Sequence, residues 1–211
     1  MTGRLNAETQ KPKILESFYY TILEEGFEGA SIAKIAKRIN MKPTLILHYF
    51  RNKEALTVSG VDYVIERYTK LFVKSRLKNS DPEKRFNALL KLLWSKEYYE
   101  TVHIAVALSG IAISFRNPRI KKKIQDLYLL FKTYLMEELG SFQAEGIICV
   151  QDIEKTAEVL MTMVEGSRHF RHFYVKSKDL VQYNQHMMMA ALSVLRQNKL
   201  TGSNFENTKA N

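Results

Sequence analysis

Apolar residues recur at helical spacing along nearly the whole chain and nowhere alternate at period two between hairpin signals, which predicts an all-α fold with almost no strand. From Lys11 to Glu25 the apolar positions Ile14, Leu15, Phe18, Ile22 and Leu23 keep one face, and Gly26 closes the helix. A second, short helix carries Ile32, Ile35, Ala36 and Ile39 on one side, while Lys34, Lys37 and Arg38 point elsewhere. Asn40 tolerates the left-handed backbone that ends a helix, and Pro43 suits the first turn of the next. Winding Lys42 to Phe50 at about 100° per residue puts Ile46, Tyr49 and Phe50 inside, Thr44 and His48 outside, and Leu45 and Leu47 at the flanks.

Capping residues set the remaining boundaries. Asn52 starts a fourth helix running to about Lys78, and Asp81 with Pro82 starts a fifth whose stripe is Phe86, Leu89, Leu90, Leu93 and Trp94. Tyr98 to Phe115 reads as one mostly apolar helix, and Asn117-Pro118 opens another to about Gly146. Asp152 caps a helix ending near Tyr174, and Ser177 or Asp179 caps the last, ending near Asn198. These two are more apolar than one core face requires, which suits self-association into a four-helix bundle or a broad internal core. Residues 1–10 read as a flexible arm, with Arg4 a possible phosphate or minor-groove contact, and the polar stretch 199–211 as a disordered tail.

Two short helices joined by a tight turn, the first basic and the second of mixed polarity, form a helix-turn-helix that sets its second helix in a DNA major groove. The run INMKPTLILHYFRNKEAL, above all His48-Tyr49-Phe50 followed by Asn52-Lys53-Glu54-Ala55-Leu56, resembles the DNA-binding module of the TetR/AcrR family of bacterial repressors. The resemblance implies a DNA-binding domain over 11–56 and a helical regulatory and dimerisation domain over 57–198. The outward face offers Lys42, Thr44 and His48 for reading, with Pro43, Leu45 and Leu47 as apolar contacts, and Ser31 presents its hydroxyl to phosphate at the start of the first short helix; the resemblance implies phosphate binding by Lys53 and Tyr49, the latter otherwise a core residue with a wet hydroxyl. The turn departs from the family pattern, with Asn40 where Gly is usual and Lys42 where Ser often caps. Leu45 and Leu47 replace polar reading positions, so base recognition leans on thymine methyl groups.

Charge agrees with this reading without having found it. The 211 residues carry a formal net charge of +10, which favours a polyanionic partner, and 45% hydrophobic residues are enough for a packed core. The single cysteine, Cys149, excludes an internal disulfide framework and fits a cytoplasmic location. The N-terminus has no apolar leader pattern and the most apolar run, Ile104 to Ile113, is too short to span a bilayer, so no membrane partner is expected.

No G-x-S-x-G elbow, phosphate-binding glycine loop or HExxH occurs, so no catalytic residue, cofactor or enzyme activity is expected. His169 and His172, three apart, are a weak metal signal interleaved with Arg168 and Arg171, and read as a basic helix end. Trp94, Tyr98, Tyr99, Phe115, Met161 and Met163 are candidates for a site taking an apolar or cationic small-molecule effector, with Glu97, Glu100 and Glu165 as possible counter-charges. Leu160, Val164, Met188, Leu192 and Leu195 are candidates for a homodimer interface. A short reading helix covers only a few base pairs, so two copies and an approximately palindromic operator are expected. The expectation is a homodimeric, ligand-released transcriptional repressor; a constitutive architectural or nucleoid protein on the same fold is the alternative.

Overall fold

The computed structural model describes residues 7–76 and 81–196. Among them every regular element is helical: α1 (Ala7–Gly29), α2 (Ile32–Arg38), α3 (Pro43–Tyr49), α4 (Lys53–Arg76), α5 (Pro82–Leu93), α6 (Lys96–Thr101), α7 (Ile104–Ser114), α8 (Pro118–Ala144), α9 (Ile153–Tyr174) and α10 (Leu180–Arg196), with a single 3-10 turn at Ser177–Asp179. The chain divides into two compact units, Met1–Leu77 with Ser95–Phe131, and Lys78–Trp94 with Lys132–Asn211. This division does not follow the expected boundary at Leu56, because α4, α6, α7 and the first part of α8 all join α1–α3 in one unit. Arg4 and the tail from 199 onward lie outside the described residues.

Local chemistry sets most boundaries. The side chains of Ser31, Asn52, Asp81 and Asp152 each accept a backbone N–H three residues on, from Lys34, Ala55, Lys84 and Lys155. Each thereby satisfies one of the donors that a helix start leaves unmatched. Asp152 is held below its ordinary carboxylate range by this contact, chiefly through the Lys155 amide.

Three boundaries differ from expectation. The first helix starts at Ala7, four residues before Lys11, and Gln10 is buried, so residues 7–10 are not an arm. The same helix kinks at Gly26, whose φ of 71° glycine adopts at no steric cost, and resumes to Gly29. The apolar run Tyr98 to Phe115 is two helices. Val102 and His103 turn extended (φ −136° and −61°), and His103 Nδ1 accepts the Ala105 amide at 3.2 Å, capping α7. Continuous hydrophobicity hides such a break, since both pieces and the joint are largely buried or half-buried.

In the first unit, Ile14, Phe18, Ile35, Ile46, Phe50 and Leu56 form the core under α2 and α3. Gly60 of α4 lets Phe18 come close: a β-carbon there would lie 3.0 Å from ring atoms Cδ1 and Cε1. Farther along α4, Tyr68 and Phe72 join Tyr98 of α6 and Phe131 of α8 in a buried aromatic cluster, with Phe72 stacked on Phe131 at 5.0 Å and 9°.

In the second unit, Phe86 of α5 meets Phe142 of α8 edge to face at 5.3 Å. Arg85 lies over the Phe142 ring, donates to Ser141 Oγ at 2.6 Å and pairs with the buried Glu138 at 3.3 Å. Trp94 Nε1 donates to Ser167 Oγ at 3.1 Å. The Tyr183 hydroxyl donates to the Ser167 carbonyl at 3.2 Å, and burial pushes its pKa up. Lys132 bridges Glu154 and Glu158 of α9 at 2.7 and 2.6 Å, and these hydrogen bonds raise its pKa.

Two glycines should respond in opposite directions. Gly60→Val forces its side chain onto Phe18 and should destabilise by about 1–3 kcal/mol. Gly110→Ala in α7, where a β-carbon meets nothing within 4 Å, should stabilise by about 0.5–1 kcal/mol. Urea unfolding of both variants checks the pair; equal shifts of one sign would show that the Phe18 contact is not limiting.

Candidate nucleic-acid interface

The short helix α3 is defined by what surrounds it. Asn40, at φ 49°, ends α2 in the left-handed region, and the Met41 amide bonds back to Ala36 O at 2.9 Å. Pro43 then begins α3 with Lys42 at the N-cap position, whose side chain makes no capping bond. Lysine has no acceptor with which to cap, Pro43 has no amide, and the Leu45 amide bonds back to the Lys42 carbonyl at 2.9 Å, so the exposed Lys42 side chain is what this helix start presents.

Ile46 is fully buried and Phe50 nearly so, which turns the other side of α3 outward. Lys42, Pro43, Thr44 and His48 are exposed, Leu45 is half-buried, and Leu47 is 42% exposed. Leu47 thus keeps part of its side chain on the outward face. Six of the expected reading residues therefore lie on or beside one outward face of α3.

The three expected phosphate contacts stand differently. Tyr49 is half-buried, its ring 5.4 Å from that of His48. Lys53 is also half-buried: its ammonium donates to the Phe27 carbonyl at 3.2 Å and sits 4.8 Å from the Phe27 ring centroid. The Ser31 hydroxyl is exposed but already accepts the Lys34 amide at 3.3 Å.

Two of the three α2 cations are taken. Arg38 pairs with Glu24 at 2.5 Å and Lys34 with Glu25, so the acids at the end of α1 brace α2 against it. The hydrogen bond from Arg38 holds the Glu24 carboxyl below its usual range. The Ser17 hydroxyl donates to the Ile35 carbonyl at 3.0 Å and fixes the same contact from inside. Lys37 and Arg51 are exposed and stand beside the reading face in sequence; neither was among the expected contacts. Arg51 has φ 25°, in the tight turn from α3 to α4, which is a signal only the backbone carries.

The candidate effector residues are divided between the two units. Tyr98 and Tyr99 are buried in the first unit, Trp94 is buried in the second, and Met161 and Met163 are half-buried on α9. Phe115 is 83% exposed at the end of α7 and lines none of the aromatic cluster. Glu97, Glu100 and Glu165 pair with Lys74, Lys96 and Arg168. His169 and His172 are exposed, and among the described residues no group of three or more His, Cys, Asp or Glu could hold a metal. No helix among them is long and apolar enough to cross a membrane.

The dimer expectation needs correcting. Leu160, Val164 and Leu195 are only 1%, 0% and 0% exposed in a single chain, so they fill the core of the second unit and leave nothing to present. Met188 and Leu192 remain half-exposed. The outward apolar stripe is one step round the helix: Val159, Met163, Gly166, Phe170 and Phe173 recur at helical spacing along α9, with Val181 and Met189 exposed on α10.

Comparison with known proteins agrees with this geometry. A family model described as "Tetracyclin repressor-like, C-terminal domain" matches residues 81–196, and one described as "Bacterial regulatory proteins, tetR family" matches residues 21–58. The HTH-type transcriptional repressor NicS of Pseudomonas putida is 28% identical over 93 residues, 44% of this chain, which spans only 43% of that protein. The HTH-type transcriptional regulator BetI of Yersinia pestis is 26% identical over 149 residues, 65% of this chain and 75% of the relative.

Solved structures share the fold. A TetR transcription regulator from Haloarcula marismortui aligns with a TM-score of 0.76 at 19% identity, covering 89% of this chain and 97% of its own. A transcriptional regulator from Saccharomonospora viridis in complex with choline aligns with a TM-score of 0.74 at 18% identity, covering 85% and 94%.

Ser17→Ala removes the buried donor to Ile35 while leaving the apolar contacts of α1. It should cost about 1 kcal/mol in urea unfolding. Unchanged stability would mean that the bond adds nothing to the seating of α2.

Proposed function

The chain belongs to the TetR family of bacterial regulatory proteins, DNA-binding transcriptional regulators, and we propose that it is a cytoplasmic, homodimeric, sequence-specific repressor, released from a roughly palindromic operator by a small-molecule effector. The observation that carries this reading is the outward face of α3, where Thr44, His48 and the partly exposed Leu47 project beside a helix start with no side-chain cap while Ile46 and Phe50 anchor the back. Thr44 and His48 read base edges, Leu45, Leu47 and Pro43 contact thymine methyls or sugars, and Lys42 reaches the groove edge. Tyr49, Lys53 and Ser31 hold phosphates; Lys53 exchanges the Phe27 carbonyl for a phosphate oxygen, a stronger charge-assisted bond. No step of this function is catalytic.

Dimerisation uses the α9 stripe through Val159, Phe170 and Phe173, together with Val181, Met188 and Leu192 of α10. Gly166 lies on that stripe, where a β-carbon would meet nothing within 4 Å, and its bare backbone permits close approach of a second helix. The seam is isologous, as expected of a two-fold dimer on a two-fold operator.

The effector is an apolar or cationic-aromatic small molecule. Aromatic rings attract such cations through their negative faces, and a fold neighbour was solved with choline. The closed Tyr68, Phe72, Tyr98 and Phe131 cluster, with rings 5.0–6.5 Å apart, favours the second reading, a constitutive DNA binder with a filled core. Relief of repression requires the effector to distinguish two states by several kcal/mol. Choline chloride and a panel of hydrophobic cations, titrated into the protein bound to DNA, separate the two: release supports the sensor, and unaltered affinity for all of them supports the constitutive binder.

Two sets of substitutions test the roles. Thr44→Ala and His48→Ala should each narrow the ratio of specific to random DNA binding by about 1–3 kcal/mol, whereas Lys53→Ala should weaken both alike, read by fluorescence anisotropy. Equal losses for all three would remove the assignment. Phe173→Asp should leave the fold intact, since Phe173 is 68% exposed, and convert the dimer to monomer in light scattering. A variant that stays dimeric would move the interface elsewhere.

A further inference from the structure

We propose that the basic turn between α7 and α8, through Arg116, Arg119 and Lys121, is a second DNA-phosphate site outside the helix-turn-helix. The proposal rests on the DNA-binding reading above. It begins from the alignment of α7 and the first part of α8, to Phe131, along α4 within the first compact unit.

Contacts along α4 keep their order on α8. The Asn117 amide donates to Glu54 Oε1 at 3.4 Å, the Lys123 ammonium meets Asp62, and Phe131 stacks on Phe72. The helix α8 therefore rises beside α4 from the same end. The preceding helix descends to that end, because the Thr101 carbonyl before α7 accepts Arg67 Nε at 2.6 Å, farther along α4. The turn joining α7 to α8 is thus level with the first turn of α4, and only Phe50, Arg51 and Asn52 separate that turn from the reading helix α3.

The chemistry there suits phosphate. The run RNPRIKKK, Arg116 to Lys123, holds five cations and no acid. Lys122 is held by Asp126 at 2.6 Å and Lys123 by Asp62, while Arg116, Arg119 and Lys121 are exposed and form no ion pair among the described residues. Asn117 fixes the backbone that carries them: its Oδ1 accepts the Arg119 and Ile120 amides at 3.1 and 3.2 Å. Glu54, the acid that meets this turn, accepts the Asn117 amide through Oε1 and keeps its charge, which the three exposed cations of the turn outnumber. A lysine-arginine run facing only water is common; this one is set at the DNA-facing end of a helix whose first turn follows the recognition element. Such contacts add affinity and orientation without reading sequence.

The test is the salt dependence of binding by the full-length protein. The probes are a duplex recovered from a random-sequence library by the wild-type protein and a scrambled duplex of equal length. Each phosphate contact contributes about 0.9 to the slope of log K against log salt. Because each of the two protomers loses up to two contacts, Arg116→Ala with Arg119→Ala should flatten that slope by about two to four and weaken both duplexes by a similar factor, on the order of tenfold or more, leaving their ratio unchanged. Arg116→Lys with Arg119→Lys should retain the wild-type slope.

Lys70→Ala with Lys96→Ala is the control for general charge loss. Both residues are exposed, and the Lys74–Glu97 pair sets the start of α6 beside the far end of α4, roughly 30 Å from Glu54 at 1.5 Å per residue. This control should leave the slope unaltered. A wild-type slope in the Arg116/Arg119 alanine variant, or equal flattening in the control, overturns the second site while leaving the helix-turn-helix reading intact. Failure of the wild-type protein to enrich or bind any duplex removes both readings.

Discussion

Everything the first unit does depends on how α1 is clamped between the helix-turn-helix and α4. Phe18 fills the joint, pressed against a glycine on α4, while Ser17 on the neighbouring face bonds the α2 backbone. A helix of seven residues is too short to be stable alone, so α2 and α3 exist as helices because Ile35 and Ile46 are buried against this joint. The acids Glu24 and Glu25 add exposed braces to Arg38 and Lys34, worth little individually but consistent in direction. The reading face is a by-product of this clamp: whatever α3 does not bury, it presents.

The same clamp extends away from DNA. Tyr19, next to Phe18 on α1, accepts the His103 amide at 2.7 Å and lies under the Arg67 guanidinium, which also donates to the Thr101 carbonyl. The joint between α6 and α7 is therefore pinned to both α1 and α4. On the other side, Tyr20 lies under Arg38 of α2. Arginine and tyrosine thus form a contiguous series from the helix-turn-helix to the end of the helix that carries the buried Tyr98 and Tyr99. Contiguity by itself does not demonstrate coupling, but it identifies where a displaced α6 would first be felt.

The sequence revealed features whose causes are local and hid those whose causes are not. Three capping side chains, Asn52, Asp81 and Asp152, announced three helix starts, because an acceptor three residues before an amide is a property of a few consecutive residues. The orientation of α3 was equally legible, since its apolar positions have only one face to share. The break at Val102 was not, because it interrupts a run in which most neighbours are apolar or aromatic. The seam of α9 and α10 failed for a related reason. Leu160 and Val164 on one stripe and Val159 and Met163 on the next are equally hydrophobic, and only packing against α10 decides which stripe the chain uses for itself. The sequence presents Lys53 as a cation expected to meet phosphate, but its bond to Phe27 O comes from a residue far away in sequence.

Charge in this protein is therefore informative only after the pairs are subtracted. Its excess of +10 suggests a polyanion, yet Lys34, Arg38, Lys122 and Lys123 are answered by carboxylates in the first unit, and Lys132 by two in the second. What is left near the start of α4 is Lys37, Lys42 and Arg51 from the helix-turn-helix side, and Arg116, Arg119 and Lys121 from the α7–α8 turn. The two groups come from segments far apart in the chain, and Asn117 on Glu54 with Lys123 on Asp62 holds the second beside the start of α4. A DNA-binding fold that reads through a helix of seven residues, as proposed, would gain most from such convergence, because added phosphate contacts strengthen binding without demanding more of the few side chains that must distinguish bases.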